Sequence, residues 1–344
     1  MNVFARPLYL VCFPIVLTLA ACGGGALDAS PDADPDQADP SRVQALAAGQ
    51  AAQVAAATAT AQSSTNDCAA IKPFYWEIGN RDGRIASGSV DSPAVATHYS
   101  AGTPISVASA SKWIYAAYVA ERNAGVLSTS DRKYLSMRSG YVSLSACARG
   151  TTVDGCLSTR SNGQYTAADD GIFKYDGGHM EKHASLLGLG RMNNAALADE
   201  MKSRLGAELR IAYSQPQLAG GIVTSADTYA QFLRKLLDGR LRLGALLGSE
   251  PICTNPLTCG RNKALYAPVP PDESWHYSVG HWIEDDAEVG DGAFSSPGAF
   301  GFYPWIDAGK ATYGIVARSA PNGAFSSVRC GRLIRKAFST GASL

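Results

Sequence analysis

The sequence predicts a mixed α/β domain whose sheet is assembled from both ends of the chain. Three observations carry this. Strand-like runs open the domain at 74–78 and 85–90, and others close it at Trp282, 300–306 and 313–318. Between them the periodicity is helical, over 109–123, 193–205 and 226–237, and a last amphipathic helix is expected over 328–338. Runs of strands, a helical middle and then strands again fit one layered domain better than alternating βαβ units. The stretch from 68 to 344 is long enough to bury a sizeable core.

Each element has a local reason. Phe74-Tyr-Trp-Glu-Ile78 and Ile85–Val90 flank Asn80-Arg-Asp-Gly83, an Asp-Gly turn between strand formers, which predicts a β-hairpin. The helix from Ser109 is rich in Ala116, Ala117 and Ala120, and Gly125 sits where a C-terminal cap is expected. In 226–237, Tyr229, Phe232, Leu233, Leu236 and Leu237 fall on one side, Ser225 stands at the start and Gly239 ends the run.

Residues 1–21 are expected to be a targeting segment: Arg6, then an apolar run from Leu8 to Leu19 broken by Pro14, too short to span a bilayer. It ends in Leu19-Ala20-Ala21-Cys22-Gly23, which resembles the lipobox of bacterial lipoproteins, with Cys22 as the lipidated residue. The resemblance implies a bacterial cell-envelope protein, a periplasmic or outer-membrane lipoprotein touching membrane only through its lipid; the alternative is a plain secretory signal cut nearby, with Cys22 incidental. Residues 22–67, Asp-Pro repeats followed by an Ala/Gln/Thr run, are expected to be a disordered tether with at most a transient helix.

Composition is ordinary, 46% hydrophobic and 17% charged, and the formal net charge of zero argues against a nucleic-acid partner. Six cysteines lie in the domain, an even count that in an exported chain indicates disulfides. Cys147 and Cys156 close one short loop and Cys253 and Cys259 another, which leaves Cys68 with Cys330. None has the spacing of a zinc or redox site, and no metal or cofactor is expected.

The chemistry is expected at Ser109-Ala110-Ser111-Lys112. A serine and a lysine three apart share one helix face. The serine hydroxyl becomes a nucleophile when a neighbouring base takes its proton, and a serine in the first turn also has free backbone N–H groups for a developing oxyanion.

The order of further pieces resembles the serine β-lactamase and penicillin-recognising superfamily, most closely its class C-like esterase, aminohydrolase and D,D-peptidase branch. After the S-x-x-K come Leu127-Ser-Thr-Ser-Asp131, Tyr134-Leu135 and Ser139-Gly140-Tyr141, then Tyr175-Asp176-Gly177 where the family has Tyr-x-Asn. Leu205-Gly206 and Leu218-Ala-Gly-Gly-Ile-Val-Thr-Ser-Ala-Asp227 follow. Ser296-Pro297-Gly298-Ala299 stands where the family has Lys-Thr-Gly or His-x-Gly. The resemblance covers about residues 70–340. It implies a β-lactamase/transpeptidase-like fold: a five-stranded antiparallel sheet flanked by helices, with a helical subdomain. It implies an acyl-enzyme mechanism on an ester or amide, with Ser109 as nucleophile, Lys112 as base, Tyr175 as proton shuttle and the N–H groups of Ser109 and Ala299 as oxyanion hole. Tyr213-Ser214-Gln215 competes weakly for the second motif.

The departures matter. Gly177 replaces an asparagine that binds substrate and Ser296 replaces a cation that faces a substrate carboxylate, so β-lactam and D-Ala-D-Ala substrates are disfavoured more than hydrolysis is. The alternatives are a catalytically weak or inactive binding or sensor protein of the same fold, and a D,D-peptidase or β-lactamase. Trp275, His276 and Trp282 flank the third motif, where either shaping an acyl pocket or a core or hairpin role is expected. His179 and His183, with Glu181 between them, do not make H-E-x-x-H, and His179 is expected at the pocket rim or as a helix cap.

Overall fold

The computed structural model describes residues 40–344. The expected signal segment 1–21, the lipidation at Cys22 and the tether as far as residue 39 lie outside the described residues. The described chain is compact from Ala47 to Leu344. Here the expected tether needs correcting: Pro40–Gln62 is a helix, and over its second half Ala56, Ala57, Thr60 and Ala61 are buried. Thr60 Oγ1 accepts the Leu344 N–H at 2.9 Å, and Asn66 Nδ2 donates to the Leu344 carbonyl at 2.8 Å. The small side chains that made this run look unable to bury surface are what let a helix lie close against a neighbour.

The expected hairpin is present. Phe74–Asn80 pairs antiparallel with Arg84–Val90, and Asn80 Oδ1 accepts the turn amides of Asp82 and Gly83 at 2.9 and 3.1 Å. Across the sheet the strands run Arg84–Val90, Phe74–Asn80, Thr312–Ala317, Tyr303–Ile306, Ala293–Ser295, Trp282–Glu284, His276–Tyr277 and Ile252–Cys253, every neighbour antiparallel. The sheet is thus built from both ends of the chain, with eight strands rather than five. The strands beyond those expected, Ile252–Cys253, His276–Tyr277 and Ala293–Ser295, are two- and three-residue pieces too short to show a period-two pattern in sequence. The expected strand over 300–306 begins only at Tyr303, because Gly298 and Gly301 turn the chain first.

Both faces of the sheet are covered. Tyr75, Glu77 and Tyr313 share a face with helix Ala226–Leu237, whose Arg234 donates to Tyr313 Oη at 2.9 Å. Trp305 and Tyr303 meet helix Ala324–Thr340, where a side chain at Gly331 would come within 2.5 Å of the Tyr303 ring. Helix Ser111–Arg122 is buried on every side from Ser111 to Ala120, as its all-round apolar surface requires. The disulfides pair as expected: Cys68–Cys330, Cys147–Cys156 and Cys253–Cys259. Among the described residues no helix is long and apolar enough to cross a membrane.

Two small strand pairings place the functional segments. Ile105–Ser106 pairs with Ile222–Thr224, which pairs with Ala212–Tyr213, so the serine turn and the 214–221 loop share one support. Phe173–Lys174 pairs in parallel with Ala264–Tyr266 and delivers Tyr175.

Candidate active site

The nucleophile candidate stands on a strained entry. Ala108 has φ 44°, a left-handed value that costs an alanine energy, and Ser109 follows it in a one-turn 3₁₀ segment before the α-helix begins at Ser111. Lys112, 4% exposed, reaches back along the helix face and donates from Nζ to Ser109 Oγ at 3.0 Å and to the Ala219 carbonyl at 2.9 Å. Its ammonium also lies 4.7 Å from the centroid of the Tyr175 ring. Ser109, Lys112 and Tyr175, separated by up to 66 residues in the chain, therefore meet at one nitrogen.

Two clefts open on this point. The larger, about 520 Å³, is lined by Ser109, Lys112 and Tyr175, by Ala299 and Pro297, and by an aromatic wall of Tyr266, Trp275, Trp282 and Phe325. Trp275 and Trp282 thus line the cleft as expected, whereas His276 turns away to Asp285 at 2.9 Å. The smaller cleft, about 390 Å³, is lined by Leu144, Ser145, Ala146, Gln215 and Ala219 together with Ser109 and Lys112. In neither does any described residue other than Lys112 carry a positive charge. Lys174 is spent on Asp169 at 3.0 Å, and Arg318 on Ser326, Ser327 and the Ile71 carbonyl.

The altered motif positions have structural reasons. A Cβ at Gly177 would lie 2.7 Å from Leu144 Cδ2 and 3.3 Å from Ala219 Cβ, so Leu144 fills the space a longer side chain would need. Leu144 belongs to the segment that the Cys147–Cys156 disulfide ties down. Ser296 turns its hydroxyl inward, donating to the Ser109 carbonyl at 3.1 Å, and is buried. Gly298 must be glycine, since a Cβ would meet the Val107 carbonyl at 2.2 Å.

Three further residues complete the surroundings. Asp176 lines the larger cleft. Burial holds its carboxyl above the ordinary range, against the pull of the Gly178 amide and of Lys112. His179 is fully buried rather than at the rim. Nε2 donates to the Lys174 carbonyl at 2.9 Å, while Nδ1 accepts from Ser139 N at 3.1 Å and Oγ at 2.7 Å. Desolvation brings its pKa down to about 4, so the neutral ring pins the residue that precedes Tyr175. Glu181 is wholly buried, and its Oε2 accepts the Leu218 N–H at 3.0 Å. Tyr213, the rival of Tyr175, is buried and lines neither cleft. His183 is held by Tyr115 and Asp131, apart from the site.

No family model and no curated protein matches the chain. Solved structures do. The D-amino acid amidase of Ochrobactrum anthropi SV3, complexed with D-phenylalanine, superposes with a TM-score of 0.59 at 11% identity, over 83% of this chain and 99% of the amidase. The octameric penicillin-binding protein homologue of Pyrococcus abyssi gives 0.56 at 12% identity, over 88% and 78%. EstCE1, a hydrolase with promiscuous acyltransferase activity, gives 0.53 at 16%, over 85% and 99%. At such identities the likeness establishes the architecture. This chain has the β-lactamase and penicillin-binding-protein fold on which those serine hydrolases are built.

Proposed function

We propose that the protein is a serine hydrolase that cleaves an ester or amide through an acyl-enzyme. The observation that carries this is the meeting of Ser109 Oγ, Lys112 Nζ and the Tyr175 ring at the junction of two clefts. Lys112 acts as the base that takes the Ser109 proton as Oγ attacks the carbonyl carbon. The oxyanion is met by the N–H groups of Ser109 and Ala299, which line the same cleft. Collapse of the intermediate breaks the bond to the leaving alcohol or amine, which Tyr175 and Lys112 together protonate. Water then attacks the acyl-serine, the same groups taking its proton, and releases the acid.

The substrate of this reading is uncharged at the reacting end. A β-lactam or a peptide C-terminus carries a carboxylate, and the clefts offer it no cation apart from Lys112. Losing one charge-assisted contact and one neutral hydrogen bond costs about 2.5 to 4 kcal/mol, or roughly 70- to 900-fold in kcat/KM. The test compares nitrocefin with p-nitrophenyl butyrate on the purified protein. The ester should be the better substrate by at least about tenfold, and a kcat/KM for nitrocefin equal to or above it would overturn the assignment. The lipobox-like start at Cys22 supports placing the enzyme in the cell envelope, on a lipid anchor.

A further inference from the structure

We infer that Glu181 is a positioning residue for this reaction: its buried side chain holds the Leu218 N–H and so presents the adjoining Ala219 carbonyl to Lys112. The inference rests on the Ser109–Lys112 reading above. Glu181 sits on helix Gly178–Ala184, six residues beyond Tyr175, and is 0% exposed. Its Oε2 is 3.0 Å from Leu218 N, the Ala219 oxygen is 2.9 Å from Lys112 Nζ, and that nitrogen is 3.0 Å from Ser109 Oγ. The chain of contacts thus runs from the helix that follows Tyr175, through the Gln217–Leu218 and Ala219–Gly220 peptide units, to the base and the nucleophile.

The turn around Ala219 closes on the same peptide unit that Glu181 grips: the Gln217 carbonyl, joined to the Leu218 N–H, accepts the Gly220 and Gly221 N–H groups at 3.3 and 2.8 Å. Ile222 N–H donates to Ser111 Oγ at 3.2 Å, Ser214 N–H to the Gly221 carbonyl at 2.8 Å, and Gln217 Nε2 to the Ser145 carbonyl at 3.1 Å. They fasten the two ends of the loop, and Glu181 together with the Gln217 carbonyl fastens its centre. Packing alone does not account for a carboxyl here. Its second oxygen, Oε1, is buried with no partner among the described residues, and leaving such a group unsatisfied costs about 1–3 kcal/mol. A methionine or leucine would fill the same volume without that cost. Burial pushes the carboxyl well above the usual range, which disfavours a buried charge at this position. The nearby sulfurs of Cys147 and Cys156 are joined to each other, which leaves no thiolates for a metal centre.

The experiment compares Glu181→Gln, which keeps an acceptor of the same reach, with Glu181→Met, which removes it. The readouts on the full chain are kcat and KM for p-nitrophenyl butyrate and amide hydrogen exchange over 214–222. The Met variant should lose about tenfold or more in kcat at unchanged KM, with exchange over the loop about tenfold faster. The Gln variant should stay within about threefold of wild type in both. Equal losses in the two variants, or wild-type kcat with wild-type protection in the Met variant, would overturn the inference. Should the Met variant not fold, Glu181→Asp withdraws the acceptor by one methylene and should behave as the Met variant is expected to. A wild-type protein inert to esters would sink the hydrolase reading instead. The exchange comparison would still decide whether Glu181 holds the loop.

Discussion

Buried polar groups are held in two different ways in this molecule. Between the sheet and helix Ala324–Thr340, charges hold charges. Glu284, fully buried, receives Arg335 at 3.1 Å, Arg332 at 3.0 Å and the Tyr303 hydroxyl at 2.7 Å, and Arg335 also grips Asp291. On the opposite face of the sheet Glu77 is held in the same way by Tyr75, Tyr313 and Arg84. At the site, backbone holds side chains: Lys112 on the Ala219 carbonyl, Glu181 on the Leu218 amide, His179 on the Lys174 carbonyl, Ser296 on the Ser109 carbonyl. An ion network satisfies every partner and leaves little capacity to bind anything else. A group anchored on a peptide bond keeps its remaining valences for substrate. The first arrangement stabilises, and the second leaves chemistry available.

The largest expected effect separates the two regions by function. Ser109→Ala should lower ester turnover by roughly 10⁴-fold or more and Lys112→Ala by roughly 10²-fold or more. Urea unfolding of the Ser109 variant should stay within about 1 kcal/mol of wild type. Wild-type turnover by Ser109→Ala would remove the site.

Arg335→Met should do the reverse. It removes one of the two arginines that hold buried Glu284, leaving Arg332 and the Tyr303 hydroxyl, and should cost about 3 kcal/mol in the unfolding free energy, while kcat per folded molecule is unchanged. Adding Glu284→Gln should recover part of the loss. A cost below about 1 kcal/mol would mean that the network is no more than surface-like.

The last comparison is a pH dependence arising from two buried histidines. His179 and His281 both have pKa values lowered to about 4 by burial, His281 with Nδ1 donating to the Val279 carbonyl and Nε2 accepting the Gly248 amide. With folded values below the unfolded 6.5, the unfolded chain binds more protons. Stability is therefore lost as pH falls from about 6.5 and the loss is complete near 4, at about 3 kcal/mol for each ring. His276, raised by Asp285 and more than a third exposed, has the opposite sign. Melts from pH 7 to 4 should show a falling Tm that His179→Asn flattens, and an unchanged slope in that variant would count against the buried neutral ring.

Much of the fold was legible because its signals are local. The Asp-Gly hairpin, Ser225 and Gly239 at the ends of 226–237, and the short cysteine spacings are each decided within about a dozen residues. The S-x-x-K helix start is as local, and the contact of Lys112 with Ser109 follows from helical spacing. Helix Pro40–Gln62 was misread for the same reason: composition says what a segment can bury by itself, and alanines bury little until a partner surface comes close.

What the sequence by itself determined is the chemistry available: a serine and a lysine on one helix face, a tyrosine to meet them, and three disulfides whose pairing is set by loop length. What only the tertiary structure decided is the setting of that chemistry. That Leu144 fills the space beside Gly177, that Ser296 turns to the Ser109 carbonyl, and that Glu181 takes the Leu218 amide of the loop that meets Lys112 all depend on segments tens of residues apart. Hydrogen bonds and packing act over a few ångströms whatever the distance along the chain. No pattern of neighbouring residues can therefore encode which distant amide a buried carboxyl will find.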